Sequence, residues 1–227
     1  MNRPLLILAA LGLTHATLEA QLSIGQPFVR AASDASVFVQ PDQVKVDASV
    51  ATQAATAQDA SAQNAAQTAT LLAALNKLLG SGADIKTVNY SVTPNYKSTQ
   101  NGGTVLTGYT ASNTVEVTLS TLSLVGSVID TASQNGATSI GGLSFSLKDS
   151  EPAHAQALRA ATMQAMTHAQ AMASAMNRNV GAVVAVEEAS AVRVAATGGV
   201  AAPVTTTPIT PGLIEVQASI VLQAALN

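Results

Sequence analysis

The sequence predicts an α+β fold, in which helices and antiparallel strands alternate along the chain. Apolar and polar residues alternate over 44–50, 104–119 and 213–222, which is typical of strands with one solvent-facing side. Apolar residues recur three and four apart over 56–79 and 151–176, which indicates helices. The segments of 42–148 run strand-helix-strand-strand-helix-strand, so a ferredoxin-like split βαβ antiparallel sheet with helices on one face is expected there.

The first elements are two strands followed by a long helix. An extended segment over 27–39 ends at a Pro41-Asp42 turn, and the alternating strand 44–50 follows. The helix over 56–79 ends at 80–82 (GSG), because glycine tolerates the left-handed conformation of a helix cap. We expect its apolar stripe to contain Leu71, Leu72, Leu75, Leu78, Leu79, Ala62, Ala66, Ala69 and Ala73.

A hairpin, a second helix and a further strand complete the predicted sheet. The strands 85–96 and 104–119 flank a polar tip containing 101–103 (NGG), a strong hairpin signal. A helix over 121–134, capped by Ser120 or Thr121, ends at Asn135-Gly136 and leads to a strand over 137–147. The expected apolar face of the second hairpin strand is Val105, Tyr109, Ala111, Val115, Val117 and Leu119.

The remaining segments predict an extension of this sheet or a second lobe. A third helix over 151–176 precedes a strand over 183–194, a Gly/Thr/Pro loop over 195–211 and a last strand over 213–222. With the N-terminal strand, these segments make 27–222 one domain of two intimate lobes. The stripe of the third helix is expected to be Leu158, Ala161, Ala165, Ala169, Met172 and Met176.

The N-terminal residues 1–20 predict a secretory signal peptide. Arg3 precedes an apolar run over 5–13, and small-residue exits follow that allow cleavage after Ala16 or Ala20. The run is too short to span a bilayer, which takes about 20 apolar residues. We therefore expect a periplasmic or secreted protein, with outer-membrane association as one form of that location.

Composition excludes several classes of protein. The 227 residues include no cysteine, which rules out disulfides and thiolate chemistry. Charged residues make up 10% of the chain, and the net charge of −3 offers no basic surface for nucleic acid. No later segment is long and apolar enough to predict a transmembrane span. A surface this poor in charge favours contacts between copies of the chain.

The residue types that carry chemistry form no convincing catalytic, cofactor-binding or metal site. His154 and His168 lie fourteen positions apart on the third helix, about 21 Å along its axis, so they cannot share one metal within a chain. Positions on the surface or the flank of the helix are the favoured interpretation for both. Ser139 lies in 136–142 (GATSIGG), which runs from helix to strand, whereas a nucleophile elbow needs the reverse order. No catalytic residue, metal ligand or cofactor is therefore assigned.

Four methionines lie on the third helix, at 163, 166, 172 and 176. Core packing is the favoured interpretation, because flexible thioether side chains fill irregular gaps. A soft copper site or an oxidant-reactive surface is the alternative.

A series of short motifs carries a family resemblance in its order and spacing. The motifs are 41–44 (PDQV), 85–87 (IKT), 90–96 (YSVTPNY), 108–117 (GYTASNTVEV), 125–130 (VGSVID), 136–137 (GA), 140–145 (IGGLSF), 157–173, 180–181 (VG) and 208–212 (PITPG). In this series the chain resembles the SIMPL-domain family over roughly 28–222. The bacterial members of that family include periplasmic and outer-membrane-associated immunogenic antigens.

The resemblance implies an exported, two-lobed α+β subunit that self-assembles into a ring- or channel-like homo-oligomer, with some relatives linked to tolerance of oxidative stress. It supplies no catalytic residues, so a non-enzymatic envelope protein is the favoured function. One alternative is a monomeric binding or chaperone-like module that uses the loop 195–211. A less favoured alternative is a hydrolase using Ser139, or a metal protein using His154 and His168.

Overall fold

Two four-stranded antiparallel sheets and three α-helices form the computed structural model, which describes residues 26–80, 83–100, 102–189, 193–196 and 209–227. The elements are β1 (Phe28–Val39), β2 (Gln43–Ala54), α1 (Ala57–Leu79), β3 (Asp84–Ser98), β4 (Thr104–Leu119), a 3₁₀ turn (Leu122–Leu124), α2 (Val125–Gln134), β5 (Ser139–Ser146), α3 (Glu151–Ala175), β6 (Val180–Glu188), β7 (Arg193–Ala196) and β8 (Ile214–Leu226). The predicted α+β class is confirmed.

The first lobe consists of β2, β3, β4 and β5 with α1 and α2. Its strands lie in the order β3-β4-β2-β5, and every neighbouring pair is antiparallel. The alternation predicted for 44–50 places every second residue of β2 in the core, where both helices cover the sheet. The buried core residues are Val44, Val46, Ala48, Val50, Leu71, Leu75, Val115, Val117, Leu119, Val125, Val128 and Ala132.

The buried stripe of α1 differs from the predicted alanine row. Thr56 caps the helix by accepting a hydrogen bond from the Asp59 amide. Ala60, Asn64 and Thr68 are buried, and this line continues into Leu71 and Leu75, whereas Ala62, Ala66, Ala69 and Ala73 are exposed. The predicted stripe was wrong because Asn64 and Thr68 form hydrogen bonds inside the core. The buried line of the helix therefore passes through these two polar residues at a spacing of four.

The hairpin of β3 and β4 extends past the two helices. Val115, Val117, Leu119 and Ala111 are buried as predicted, but Val105 is exposed. A register shift between Asn95 and Tyr96 interrupts the pairing with β4. The apolar face of β4 therefore enters the core only near the helices.

Two local predictions around α2 were wrong in detail. The segment after Ser120 begins as a 3₁₀ turn, and Thr121 makes no side-chain cap bond. The end at Asn135-Gly136 is confirmed, with Gly136 at a φ of 100°. In β5, the register against β2 shifts where Gly142 adopts a φ of 59° beside Asp47.

The second lobe consists of β1, β6, β7 and β8 with α3. Strand β8 is central, with β1 on one side and both β6 and β7 on the other. Its predicted alternation is confirmed, since Ile214, Val216, Ala218, Ile220 and Leu222 are all buried. Its strand continues to Leu226, beyond the predicted end.

Alanines at a spacing of four form the face of α3 that packs on β1 and β8. They are Ala153, Ala157, Ala161, Ala165, Ala169 and Ala173. Leu158 packs beside this core, as predicted, but Met172 and Met176 are exposed. Those two residues lie one position off the alanine row, about 100° around the helix, so they lie outside the buried contact between α3 and the sheet.

The strand predicted over 183–194 is two strands, β6 and β7, which pair with different parts of β8. The loop predicted over 195–211 was therefore begun two residues too early, because Ala195 and Ala196 belong to β7. Most of that loop, 197–208, lies outside the described residues, as does the predicted signal segment 1–20.

The two lobes share an apolar contact at Phe145. Its side chain packs against the first core and also against Ala153, Ile214 and Val216 of the second lobe. None of the helices in the described ranges is long and apolar enough to cross a membrane.

Candidate functional site

The two histidines of α3 have different surroundings. His154 is 8% exposed, and its Nε2 atom lies 3.1 Å from Oε1 of Glu188 at the end of β6. His154 is therefore buried on the flank of α3 and not on its exposed surface, because the first turn of α3 faces β6. His168 is exposed, as predicted, on the opposite half of the helix.

Among the residues that the structure describes, none forms a catalytic arrangement with Ser139. This residue is exposed at the start of β5, where it pairs with Ser49 in the first lobe. His154 and His168 both belong to the second lobe, and each contacts a group of that lobe. Across the described ranges, no cluster of three or more His, Asp or Glu side chains could hold a metal ion. The geometry gives no support to the hydrolase alternative or to a shared histidine metal site.

A buried polar group joins α1 to the first sheet, and sequence analysis missed it. Asn64 is fully buried, and its Nδ2 atom donates to the carbonyl oxygens of Val50 at 2.8 Å and Ala111 at 3.1 Å. Thr52 Oγ1 donates to the Ala60 carbonyl oxygen at 2.7 Å. The four-residue spacing of Ala60, Asn64 and Thr68 was the signal that could have located it. The group fixes the helix on the sheet.

The methionines of α3 mostly face solvent. Met163 is 67% exposed and Met176 is 53% exposed, while Met172 is 38% exposed. Only Met166 of the four packs against a core. The core-packing interpretation is confirmed for Met166 and wrong for the other three.

A surface depression of about 430 Å³ lies between β1 and α3. His168 and Met172 line it, together with Arg30, Ala32 and neighbouring alanines. The Nδ1 atom of His168 lies 3.4 Å from the Ala32 carbonyl oxygen. The depression is therefore lined by the imidazole of His168 and by the thioether of Met172, one helical turn further along α3.

The far end of the β3–β4 hairpin exposes apolar side chains in two neighbouring strands. We call this end the hairpin tip and define it as residues 93–98 and 104–107. Tyr96 pairs with Leu106 across the strands, and Val105 lies next to Leu106; their exposed fractions are 64%, 44% and 55%. A two-stranded ribbon without a third strand or a helix is marginally stable in water. The hairpin tip is therefore a candidate contact surface.

Strand β6 forms another apolar edge. Val183, Val184 and Val186 are exposed, and the register against β8 shifts twice along the strand. Within the described residues β6 pairs only with β8, so its other edge presents backbone groups suited to pairing with a further strand.

Comparison with known proteins places the chain in a family. The model of the SIMPL family, described as a protein of unknown function (DUF541), matches residues 29–224. The uncharacterized protein YggE of Escherichia coli (strain K12) is 31% identical over 190 residues, which cover 82% of this chain and 76% of the relative. YggE of Shigella flexneri matches with the same identity and coverage. The chain belongs to the SIMPL family.

Proposed function

We propose that this chain is an exported, non-enzymatic envelope protein whose subunits assemble into a ring- or channel-like homo-oligomer. The hairpin tip carries the proposal, because Tyr96 and Leu106 are exposed cross-strand partners at the end of the first lobe, and Val105 is exposed on the opposite face of the ribbon. Burial of one such side chain contributes about 1.5–3 kcal/mol, so a contact repeated around a closed ring stabilises the assembly at every subunit.

The edge strands support the same proposal. Strand β3 has protective features, since Pro94 lacks an amide donor and Lys86 and Lys97 are exposed. The exposed valines of β6 have no such protection along 183–186. We infer that the hairpin tip and β6 contact neighbouring subunits. Closed symmetry would cover both surfaces in every copy.

Assembly is tested by light scattering after size-exclusion chromatography and by electron microscopy of the purified protein. We expect rings or pores of several subunits at micromolar concentration. Leu106→Glu places a charge in the contact and should give smaller particles. Met163→Glu adds the same charge at an exposed apolar position on α3, and it should leave the assembly unchanged.

A strict monomer at micromolar concentration would contradict assembly, and equal dissociation by both variants would contradict the role of the hairpin tip. A monomer would favour a binding module that uses 195–211, and deletion of that loop would then abolish partner capture.

Export is tested separately by cell fractionation and by sequencing the N-terminus of the mature protein. We expect it to begin at Thr17 or Gln21, in the periplasm or the medium. Recovery of the full-length chain in the cytosol alone would overturn this part of the proposal.

A further inference from the structure

Strand β1 forms a regular and open edge of the second sheet. Its twelve residues pair one for one with β8, from Phe28 to Val39, without a register shift. Within the described residues β1 pairs with no other strand, so the backbone groups along its outer edge are available to a further strand. The strand contains no proline or glycine, the residues that most often interrupt such an edge.

The sequence of β1 reads nearly the same in both directions about Ser33. Phenylalanine, valine and alanine recur at equal distances on either side of this residue, at 28 and 38, 29 and 37, and 31 and 35. A two-fold contact places residue i opposite residue j and j opposite i, so it needs a surface that is complementary to itself. Two β1 strands paired antiparallel about Ser33 meet this requirement.

Ser33 itself has no hydrogen-bond partner within one chain. It is 9% exposed, on the face of β1 that packs on α3, and its buried Oγ atom bonds to none of the described residues. A buried hydroxyl left in this state is destabilising. When the two strands are centred on Ser33, this residue lies directly opposite its own copy, with the Cβ atoms about 4.5–5.5 Å apart. Two serines opposed at this distance can form a hydrogen bond to each other.

The side chains on the solvent-facing side of β1 select this register over its neighbours. Phe28 and Phe38, both more than half exposed, lie opposite each other at the two ends of the contact. Arg30 lies diagonal to Asp34 of the second copy, which is within reach of a long side chain. A slide by two residues either places Asp34 opposite Asp34 or moves Phe28 from Phe38 to Ser36. A slide by one turns the buried face outward.

We propose that two copies of the chain join through β1 in a two-fold antiparallel contact centred on Ser33. Backbone hydrogen bonds along 28–38 hold the two strands together, and the alternating side chains fix their register. The second-lobe sheets of the two copies thereby become one continuous sheet. This contact uses neither the hairpin tip nor β6, so it is independent of the contacts proposed for the ring.

The chain contains no cysteine, so single cysteine substitutions in the full chain give a direct test. Ser33→Cys brings two thiols to opposed positions, where the Cα atoms of antiparallel strands lie about 4.5–5.5 Å apart and a disulfide fits. We expect a covalent dimer after mild oxidation, seen on non-reducing gels. Ser36→Cys is the matched control, because it is exposed on the same strand and its two copies lie about 20 Å apart in this register. We expect no covalent dimer from the control.

The second measurement is sedimentation equilibrium of the Leu106→Glu chain, in which the hairpin tip is altered and β1 is intact. We expect a dimer. Asp34→Arg places like charges at two symmetric positions and should raise the dissociation constant of this dimer about tenfold or more. Arg30→Asp added to Asp34→Arg restores opposite charges and should restore the dimer. Thermal melts of these variants should match the parent, which separates lost association from lost folding.

The outcomes separate this contact from the ring. Absence of a covalent dimer from Ser33→Cys, an equal yield from Ser36→Cys, or unchanged association of Asp34→Arg would overturn the β1 contact, whether or not rings form. A covalent dimer from Ser33→Cys without rings in the parent chain would support the β1 contact and contradict only the proposed ring.

Discussion

Replacement of Asn64 by alanine removes the two hydrogen bonds that join α1 to the interior of the first sheet. The carbonyl oxygens of Val50 and Ala111 would lose this donor in a fully buried site. A hydrogen bond contributes about 0.5–1.5 kcal/mol, and a buried group left without its partner costs about 1–3 kcal/mol. We expect Asn64→Ala to lower the free energy of unfolding by about 3 kcal/mol.

The assay is denaturant unfolding followed by circular dichroism, with calorimetry as a second probe. A loss of about 3 kcal/mol corresponds to a fall in melting temperature of roughly 6–12 °C for a protein of this size. Gln63→Ala is the matched control, because Gln63 is the exposed neighbour on the same helix and should change stability by less than about 0.5 kcal/mol.

Asn64→Asp makes the test sharper, because it keeps the shape of the side chain and replaces the donor by a carboxylate. Burial opposite two carbonyl oxygens favours the neutral acid, so the pKa of this group in the folded state would lie above its unfolded value. The folded protein then binds the proton more tightly, and stability rises as pH falls. If Asn64→Ala costs no more than the Gln63 control, or Asn64→Asp shows no pH dependence, the reasoning is refuted.

Three further outcomes follow from backbone geometry and packing. Gly142→Ala should cost about 1–2 kcal/mol in denaturant unfolding, because its φ of 59° strains an L-residue and the new methyl group meets Asp47. Gly141→Ala, where the added carbon meets open space, should be neutral or slightly stabilising. Leu71→Ala should cost about 2–5 kcal/mol because the residue is fully buried, and Leu78→Ala should cost about 1 kcal/mol or less at its exposed position. In amide hydrogen exchange, the second lobe should lose protection before the first, because alanines contribute much of its core; simultaneous loss would contradict this expectation.

Strands with strict alternation were the elements most directly predictable from the sequence. In β8 the pattern of Ile214, Val216 and Ala218 has a period that only a strand satisfies, and burial follows it residue by residue. The first and last residues of α1 and α3 were also predicted to within one residue. Their periodicity spans several turns and is bounded by glycine or by a proline in the first turn.

The faces of the helices were harder to predict than their lengths. In α1 many alanines are compatible with several stripes, and polar Asn64 occupies the buried line because sheet carbonyls satisfy it. In α3 the alanine row and the row ending at Met176 differ by one position. Which of the two rows is buried depends on where the sheet lies. Hydrophobicity alone therefore predicted a buried position for Met172, which is exposed.

The candidate sites depend on contacts that no local pattern contains. The contact of His168 with Ala32 joins residues 136 positions apart. The hairpin tip is exposed because α1 covers only the near part of β4, and the length of the helix relative to that of the strand determines this coverage.

The central position of β8 sets the order in which the two lobes can form. β1, β6 and β7 all precede β8 in the chain, and each pairs with it. Phe28 meets Ala225, so one sheet depends on contacts across nearly the whole sequence, and such nonlocal pairing is slow. The strands of the first lobe all lie between Gln43 and Ser146, so the sheet of that unit can form without any residue of β8. Until residues 214–226 are available, β1 lacks the strand with which it pairs, so the second lobe is the later of the two to form.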